Sequence, residues 1–581
     1  MNITRIMEWD IWVGAIVIFA GPYGMYLLMQ WLKQLKRQSG MPYNQAANLY
    51  NNSNQHSTLD SSADDSSSNQ TNADYERHNP AISSFLHQNV DYVCNQLGHS
   101  SDLTIRYLTL CDNSSRNSAV LFINGLVDEK MISDFIISPI MQNRDSISSI
   151  LSKQPEQLLS TLHESYIPIC KGELSPNSED VVSKLLSGSV ALLVDGVTET
   201  LVMDVKTSNG RNSEEPISEP LVRGPRIGFV ESIGDNISML RIRAADRNLT
   251  IQPYELGARI KTQAALIYIR DLANAELVAE VDRRIRAIDI DDLPESGYLE
   301  QLIEDDFLSP FPQMQNTERP DRVIAALLEG RIAILLDGTP FVLLAPVTFS
   351  MLLQSPEDYY ERWLPSTLIR MLRYLAAFIA MFVPAIYISF VSFHHGMIPT
   401  KLAVSMAGTR EGVPFPPIVE ALLMEISIEI LREAGLRLPK PVGQTVGLVG
   451  GLVIGQAAVE ARIVSPIMVI VVALTAITSF AIPHYEAGMP IRILRFVAMF
   501  CAATLGLYGV LLFFIMLYTH IVRLHSFGIP YDSPTAPPQA AGLKDWKDFL
   551  IRVPLFLLKR RPRMNHPKDA VRQDPNPKPK G

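Results

Sequence analysis

The sequence predicts an α+β cytoplasmic domain made of two subdomains, followed by an α-helical polytopic membrane domain. The 581 residues have a slightly positive mean hydropathy of +0.12 although 19% of them are charged, so apolar and charged residues must be segregated. The apolar residues concentrate in two blocks, 11–32 and 372–524. Between the blocks, short β-type apolar runs alternate with amphipathic helices, as in a layered domain of sheets and helices.

The first apolar block predicts a membrane-spanning helix near the N-terminus. Its 22 residues, Ile11 to Leu32, carry no charge, and about 20 helical residues are enough to cross a bilayer. Three basic residues follow between positions 33 and 37, which places the N-terminus outside and the next domain in the cytoplasm. An uncleaved signal anchor of ordinary function would show the same pattern of apolar and basic residues. We assign residues 1–40 to this helix and the Asn- and Ser-rich residues 41–80 to a disordered polar linker.

One segment of the soluble part occurs twice. Leu186 to Gly196 (LSGSVALLVDG) and Leu328 to Gly338 (LEGRIAILLDG) align at an offset of 142 residues. Each predicts a buried strand that ends in Asp-Gly, the pair that most readily supplies the positive φ of a tight hairpin turn. A return strand follows each copy, so we expect two β-hairpins. Any two hairpins share some features, but the matching glycines favour two related subdomains, 81–230 and 231–365.

Several classes of function are excluded by composition and motifs. The net charge of −9 and the lack of a basic stripe before the C-terminal tail argue against nucleic acid as a partner. The four cysteines do not have the spacing of a zinc site or a disulfide framework. A Walker lysine, a GxSxG motif and a histidine at triad spacing are also missing. We therefore expect no catalytic residue, no metal, no cofactor and no enzyme activity.

A short turn stands out in the soluble part because it combines two arginines with Gly-Pro. It consists of Arg223, Gly224, Pro225 and Arg226. Two interpretations stay open. The first is a rigid structural turn whose arginines pair with nearby acids, and the second is a docking surface for a partner.

The second apolar block predicts a membrane module, residues 366–525. Its strong spans are 372–393, 464–483 and 494–521. The last is longer than a perpendicular crossing needs, so two interpretations stay open for it: a tilted span, and a span that ends in an interfacial helix. The tail after His520 carries 12 Lys and Arg against five Asp, which places residues 526–581 in the cytoplasm. Because the soluble domain is expected there too, the module must cross the membrane an even number of times. A fourth crossing must come from 416–435 or 443–461.

The segment 416–435 predicts an amphipathic helix that carries charge. At about 100° per residue, Glu425, Glu429, Arg432 and Glu433 share one face. Glu420 and Ser427 project from the opposite face. An acidic helix face cannot face lipid, whereas rings of carboxylates attract cations in channels. Two interpretations stay open: an interfacial helix whose acids face the cytoplasm, and a pore-lining helix, which would require oligomers.

The segment 443–461 carries three overlapping GxxxG motifs. Its glycines form one flat face that permits close helix contact: Gly443, Gly447, Gly451 and Gly455. Polar side chains near its ends fit a re-entrant or pore-adjacent helix, although helix packing alone explains the glycines equally well. The pore-lining candidates are therefore Glu420, Glu425, Glu429, Gln444, Gln456 and Glu460.

Taken together, these segments resemble the GerA family of spore germination proteins, specifically the A subunits of GerA-type germinant receptors. Four stretches carry the resemblance: Ile123 to Leu126, Val222 to Glu231, Leu328 to Phe341, and Gly443 to Met468. At Ile227 the family usually has an acidic residue instead. The resemblance implies a two-part cytoplasmic N-terminal domain and a membrane module that works with B and C subunits in the inner spore membrane.

The resemblance further implies an oligomeric, nutrient-gated ion channel in which the A subunit supplies much of the pore. It favours the pore interpretation of Glu420, Glu425, Glu429 and Glu460. The expected partners are the B and C subunits, further copies of this chain and membrane lipid. Two other functions stay open: a SpoVAF-type accessory channel that amplifies germination without sensing nutrients, and a membrane scaffold without conductance.

Overall fold

The computed structural model describes residues 81–98, 100–110, 117–143, 146–147, 150, 157–207, 215–216, 218–439, 450–451, 453–535 and 548–573. The predicted N-terminal helix and linker lie outside these residues, as do Gly443, Gln444 and Gly447.

The first α/β unit, residues 81–207, is built on a five-stranded antiparallel sheet of order β1-β2-β4-β5-β3. Its strands are β1 Leu103–Thr109, β2 Asn117–Ile123, β3 Gly172–Ser175, β4 Ser189–Val194 and β5 Thr200–Asp204. Its helices are α1 Leu86–Gln96, α2 Glu129–Ile132, α3 Ser138–Gln142, α4 Leu158–Ser165 and α5 Ser178–Leu186. A π-helical turn joins α2 to α3. Alternate residues of β4 face opposite sides. One side packs on α1 and α5, and the other packs on α2 to α4.

The second α/β unit, residues 218–345, has a five-stranded antiparallel sheet of order β6-β7-β9-β10-β8. Its strands are β6 Leu249–Leu256, β7 Thr262–Ile269, β8 Gln315–Thr317, β9 Ile332–Leu336 and β10 Val342–Ala345. Its helices are α6 Ile233–Arg243, α7 Ala275–Arg286, α8 Ser296–Ile303 and α9 Pro320–Leu328. Here α6 and α9 cover one face of the sheet, and α7 and α8 cover the other.

Both predicted hairpins are present, and they occupy equivalent places in two sheets of the same strand order. The glycine of each turn has a positive φ, +82° in the first and +86° in the second. The aspartate of each turn also caps a helix. The Leu86 backbone N–H donates to Asp195 Oδ1 at 3.1 Å, and the Ile233 N–H donates to Asp337 Oδ1 at 3.0 Å. The Asp-Gly pair thus fixes both a strand turn and the start of a helix in each unit.

The second apolar block folds into a bundle of helices. Two short helices, α10 Phe349–Leu352 and α11 Glu357–Tyr360, lead from the second unit into it. The bundle contains α12 Trp363–Ser392, α13 Thr400–Arg410, α14 Pro417–Arg437, α15 Pro466–Phe480, α16 Tyr485–Leu505 and α17 Leu507–Arg523, and residues 450–451 and 453–460 are also helical. Among the described residues, α12 and α16 are long and apolar enough to cross a membrane, whereas α15 and α17 are apolar but shorter.

The predicted single span over 494–521 is wrong, because the chain breaks there at Gly506. This residue has φ +63° and ψ −139°, a conformation that is essentially restricted to glycine. It separates α16 from α17. The two helices then pack closely, since a Cβ on Gly509 would lie 2.0 Å from the Cys501 carbonyl oxygen. The apolar run therefore forms part of a helical hairpin.

The bundle begins and ends beside the second α/β unit. Near its start, Arg370 of α12 forms an ion pair with Asp548 of the C-terminal segment at 3.0 Å. Near its end, His520 Nε2 of α17 lies 3.0 Å from the Ser309 Oγ of the second unit. After α17, a small ribbon of β11 His525–Ser526 and β12 Ile529–Pro530 continues this contact. The chain thus returns to the side from which it entered the bundle.

Candidate functional site

The most unusual feature of the bundle is a buried network of ionisable side chains between α14 and α16. Glu425 and Glu429 are one helical turn apart on α14, so both face α16. Arg495 of α16 reaches both carboxylates: its Nη1 lies 3.0 Å from Glu425 Oε2, and its Nη2 lies 3.1 Å from Glu429 Oε1. Glu425 is completely buried and Arg495 is 1% exposed. One guanidinium therefore links two acids of a neighbouring helix.

A second arginine completes the network. Arg432 Nη1 lies 3.2 Å from Glu429 Oε1, and its Nη2 donates to the Ser479 Oγ of α15 at 2.9 Å. Its guanidinium also lies over the Phe480 ring, 4.8 Å from the centroid. Glu429, shared by the two arginines, is 30% exposed. Two carboxylates and two guanidiniums cancel in formal charge, which is the arrangement that makes buried charges tolerable.

Glu420 belongs to a different part of the bundle. It accepts a hydrogen bond from Arg410 Nη2 of α13 at 2.7 Å and another from the Ser465 backbone N–H at 3.0 Å. It is completely buried. Glu420 therefore ties the start of α14 to α13 and to the start of α15, and it does not join Glu425 and Glu429.

The remaining polar candidates within the described residues also lie apart from the network. Gln456 Nε2 donates to Glu460 Oε1 at 2.9 Å, and both side chains are exposed. A Cβ on Gly451 would meet nothing within 4 Å, and one on Gly455 would meet only Val469 at 3.5 Å. Gly451 is exposed, whereas Gly455 is buried next to Val469 of α15, and the role of the glycine face as a whole in helix packing stays a prediction.

The turn at 223–226 is held by other residues of the chain. The Pro225 carbonyl accepts from Arg319 Nη2 at 2.7 Å, and Gly224 has φ +148° and lies against the Tyr360 ring. The two turn arginines are exposed, and Arg226 lies 4.0 Å from Glu215. The predicted pairing with acids is therefore limited to one loose contact of Arg226 among the described residues, while Arg319 and Tyr360 contact the backbone of the turn.

The sequence did not single out Arg495, which is the centre of the network. It lies inside the predicted span 494–521, where an arginine has a high cost in lipid unless it is paired. That cost is the sequence signal that could have identified Arg495. An arginine within a predicted span implies an acidic partner in another span, and the acidic face of α14 was the evident choice.

These features define a class: a membrane-associated protein in which two α/β units of the same strand order adjoin a helical bundle with internal ion pairs. The chain belongs to the GerA family, because residues 91–564 match the model described as Bacillus/Clostridium GerA spore germination protein. The predicted family and its function in spore germination are confirmed.

Relatives from two species match over most of their length. Spore germination protein B1 of Bacillus subtilis (strain 168) is 44% identical over 492 residues, covering 85% of this chain and 99% of that protein. GerLA of Bacillus cereus is 43% identical, covering 82% of this chain and 94% of that protein. The crystal structure of the N-terminal domain of the A subunit of the Bacillus megaterium germinant receptor GerK3 is 35% identical and covers 46% of this chain and 98% of that domain, with a TM-score of 0.37.

Proposed function

We propose that this chain is the A subunit of a nutrient receptor in the inner spore membrane. In this proposal it forms a multi-pass, oligomeric ion channel with further copies and with B and C subunits, and nutrient binding opens the channel. The single observation that carries the channel assignment is the buried network of Glu425, Glu429, Arg432 and Arg495. Ionisable residues among membrane helices have a high cost and usually mark an ion pathway.

The network suggests how such a channel opens. With α14 against α16, Arg495 and Arg432 together neutralise the two carboxylates, so they offer no free negative charge to a cation. A movement of α14 away from α16 would separate Glu425 and Glu429 from Arg495 and let water reach them, while Glu429 would keep its pair with Arg432 of the same helix. Freed carboxylates attract cations and repel anions. Glu429 is already 30% exposed and would be the first to face the pathway.

The proposed orientation places the soluble part and the C-terminal segment together in the cytoplasm. The support is that residues 548–573 contact the second α/β unit, for example through Lys568, whose backbone N–H donates to the Leu272 carbonyl at 3.0 Å. Both therefore lie on one side of any membrane that the bundle spans. The excess of Lys and Arg in the tail favours the cytoplasm for that side.

The test is ion flux through liposomes that contain this chain assembled with its B and C subunits. Glu425→Gln removes the charge that Arg495 faces, so we expect flux without nutrient. Glu429→Gln should reduce the preference for cations over anions. The matched control is Glu433→Gln on the same helix, since Glu433 is exposed and pairs only with Arg437 among the described residues.

The outcomes distinguish a receptor channel, an accessory channel and a scaffold without conductance. Nutrient-dependent flux that changes in the two network variants and not in the control supports the receptor channel. Flux that never depends on nutrient supports an accessory channel. Absence of flux in the wild-type assembly, or flux that both network variants leave unchanged, contradicts the proposed pore.

A further inference from the structure

The second α/β unit meets the bundle at a polar joint between strand β8 and the first turn of α16. The joint consists of Gln315 and Asn316 on the strand and of His484 and Glu486 on the helix. Gln315 Nε2 lies 2.8 Å from His484 Nε2, and Asn316 Nδ2 donates to Glu486 Oε1. His484 is the residue that precedes α16 and is 4% exposed, and Gln315 is 1% exposed. The first turn of α16 is therefore attached to an edge strand of the soluble part.

Residues behind the joint hold it in a fixed geometry. Arg331 Nη2 donates to Gln315 Oε1 at 3.1 Å, so the amide of Gln315 is oriented from both ends. Glu219 accepts from the Thr317 hydroxyl at 2.8 Å and lies 3.7 Å from His484 Nδ1. Buried polar contacts of this kind are specific in distance and direction, because a partly broken network leaves unsatisfied groups. A displacement of β8 must therefore move the start of α16 or break the joint.

The same helix carries Arg495 to the ion-pair network. From Glu486 to Arg495 is nine residues, or about 14 Å along a helix, and α16 is continuous over this distance in spite of Pro490. The helix thus connects the joint at one end with the guanidinium that faces Glu425 and Glu429 farther along. A shift of the joint displaces Arg495 relative to α14.

Another contact of the second unit with the bundle has no such connection among the described residues. It lies at the end of α17, where Ser309 approaches His520 and where the Ser526 hydroxyl donates to the Gln313 carbonyl at 2.7 Å. No described residue of α17 takes part in the network. Disturbing the α17 contact therefore provides a control for a test of the joint.

We propose that the β8–α16 joint is the mechanical link through which movements of the second α/β unit separate or close the ion pairs of Arg495 with α14. The consequence for conduction rests on the proposed channel function, whereas the mechanical link itself does not. In the assembled receptor, a nutrient signal that reaches the second unit would act on the network through this joint.

The link is tested with a pair of substitutions that break and restore the joint. Asn316→Asp places a carboxylate opposite Glu486 and removes the donor, so the joint should open. Adding Glu486→Gln restores a donor and an acceptor with their positions exchanged. Asn316→Ala is the milder variant if the charged one does not fold, and Ser309→Ala is the control at the α17 contact.

The first measurement is hydrogen exchange of the full-length protein in detergent, read over residues 425–432 of α14. We expect faster exchange there in Asn316→Asp, exchange near that of the wild type in the double variant, and no change in Ser309→Ala. Unchanged exchange in Asn316→Asp and Asn316→Ala, or an equal increase in Ser309→Ala, overturns the link. A double variant that folds but exchanges as fast as Asn316→Asp also overturns the link.

The second measurement is nutrient-dependent flux in liposomes with the B and C subunits. We expect Asn316→Asp to shift the nutrient concentration for half-maximal flux by about tenfold, a usual size for a coupling between sites, and the double variant to reverse the shift. If exchange responds as expected but the wild-type assembly conducts no ions, the link stands and the proposed channel fails. If the wild type conducts but exchange does not respond, the link fails alone.

Discussion

Glu300 of α8 is a buried carboxyl of the second α/β unit whose titration bears on stability near neutral pH. Its pKa is raised from the ordinary 4.5 to about 7, chiefly by burial and also by the nearby Glu295, against a lowering by the Met314 backbone N–H. The folded protein therefore holds this proton more tightly than the unfolded chain. Its contribution to stability is fully present below pH 4.5 and is lost as pH rises through about 7.

Glu300→Gln should remove this contribution to the pH dependence, because the amide cannot ionise. We expect the melting temperature of the full-length protein in detergent to fall less between pH 5 and pH 8 in the variant than in the wild type. Glu276→Gln, at an exposed position of α7, is the control and should keep the wild-type dependence. An identical fall in the wild type and Glu300→Gln would contradict the prediction.

At the scale of residues, the sequence predicted the acidic half of the ion-pair network. Helical periodicity alone brings Glu425 and Glu429 together, so their shared face follows from local sequence. Their partner is 66 residues from Glu429 along the chain, and only the packing of α16 on α14 brings it there. His484 is a similar case, because its contacts are Gln315 and Glu219 from the soluble part, far from it in sequence.

At the scale of elements, the break between α16 and α17 depends on Gly506. A side chain there would be strained by the positive φ and would meet His394 Cε1 at 2.8 Å and Phe393 Cβ at 3.0 Å. Gly506→Ala should therefore lower the free energy of unfolding by about 1–3 kcal/mol. Gly488→Ala within α16 is the control, because a Cβ there meets nothing within 4 Å and alanine favours a helix over glycine by about 0.5–1 kcal/mol.

Chemical unfolding of the detergent-solubilised protein measures both variants. The expected signs are opposite, with Gly506→Ala less stable and Gly488→Ala at least as stable as the wild type. Equal effects of the two substitutions would show that the conformation of Gly506 is not what holds the helical hairpin.

The elements differ in how well local sequence predicts them. The two hairpins follow from Asp-Gly after an apolar run, since the turn chemistry lies within a few residues. The break at Gly506 does not follow, because hydropathy is continuous across 494–521 and a glycine within an apolar helix is common. The break places Gly506 next to Phe393 and His394, which follow the end of α12, and this proximity has no sign in the local sequence.

At the scale of the whole molecule, the basic tail is part of the fold. Residues 548–573 run along the second α/β unit, where Arg561 Nε donates to the Leu328 carbonyl at 2.8 Å and Asn565 Nδ2 to the Glu329 carbonyl at 3.2 Å. Charge alone predicted a cytoplasmic segment. Its path could not be predicted, because the tail binds backbone carbonyls, which carry no signature in sequence.

The tail also closes a cluster of charges at the base of α12. Arg370 is completely buried and lies 3.0 Å from Asp548 and 3.4 Å from Asp358. The Tyr359 hydroxyl donates to the other oxygen of Asp548 at 2.6 Å. Asp548 therefore supplies a second carboxylate, beside that of Asp358, to a buried guanidinium, and it connects the tail to the helix that leads into the bundle.

Asp548→Asn should accordingly lower the free energy of unfolding by about 1–3 kcal/mol, the usual effect of weakening a hydrogen bond to a buried charge. Asp569→Asn is the matched control, because Asp569 pairs with Arg561 and its own side chain is 53% exposed. Pairs that solvent reaches contribute under about 1 kcal/mol.

Deleting residues 548–581 should lower the free energy of unfolding more than either substitution. In hydrogen exchange, that deletion should loosen both α9 and the first turns of α12, since the tail touches both. If α12 loosens while α9 keeps its protection, the tail is an anchor for the helix alone and does not join the soluble part to the bundle.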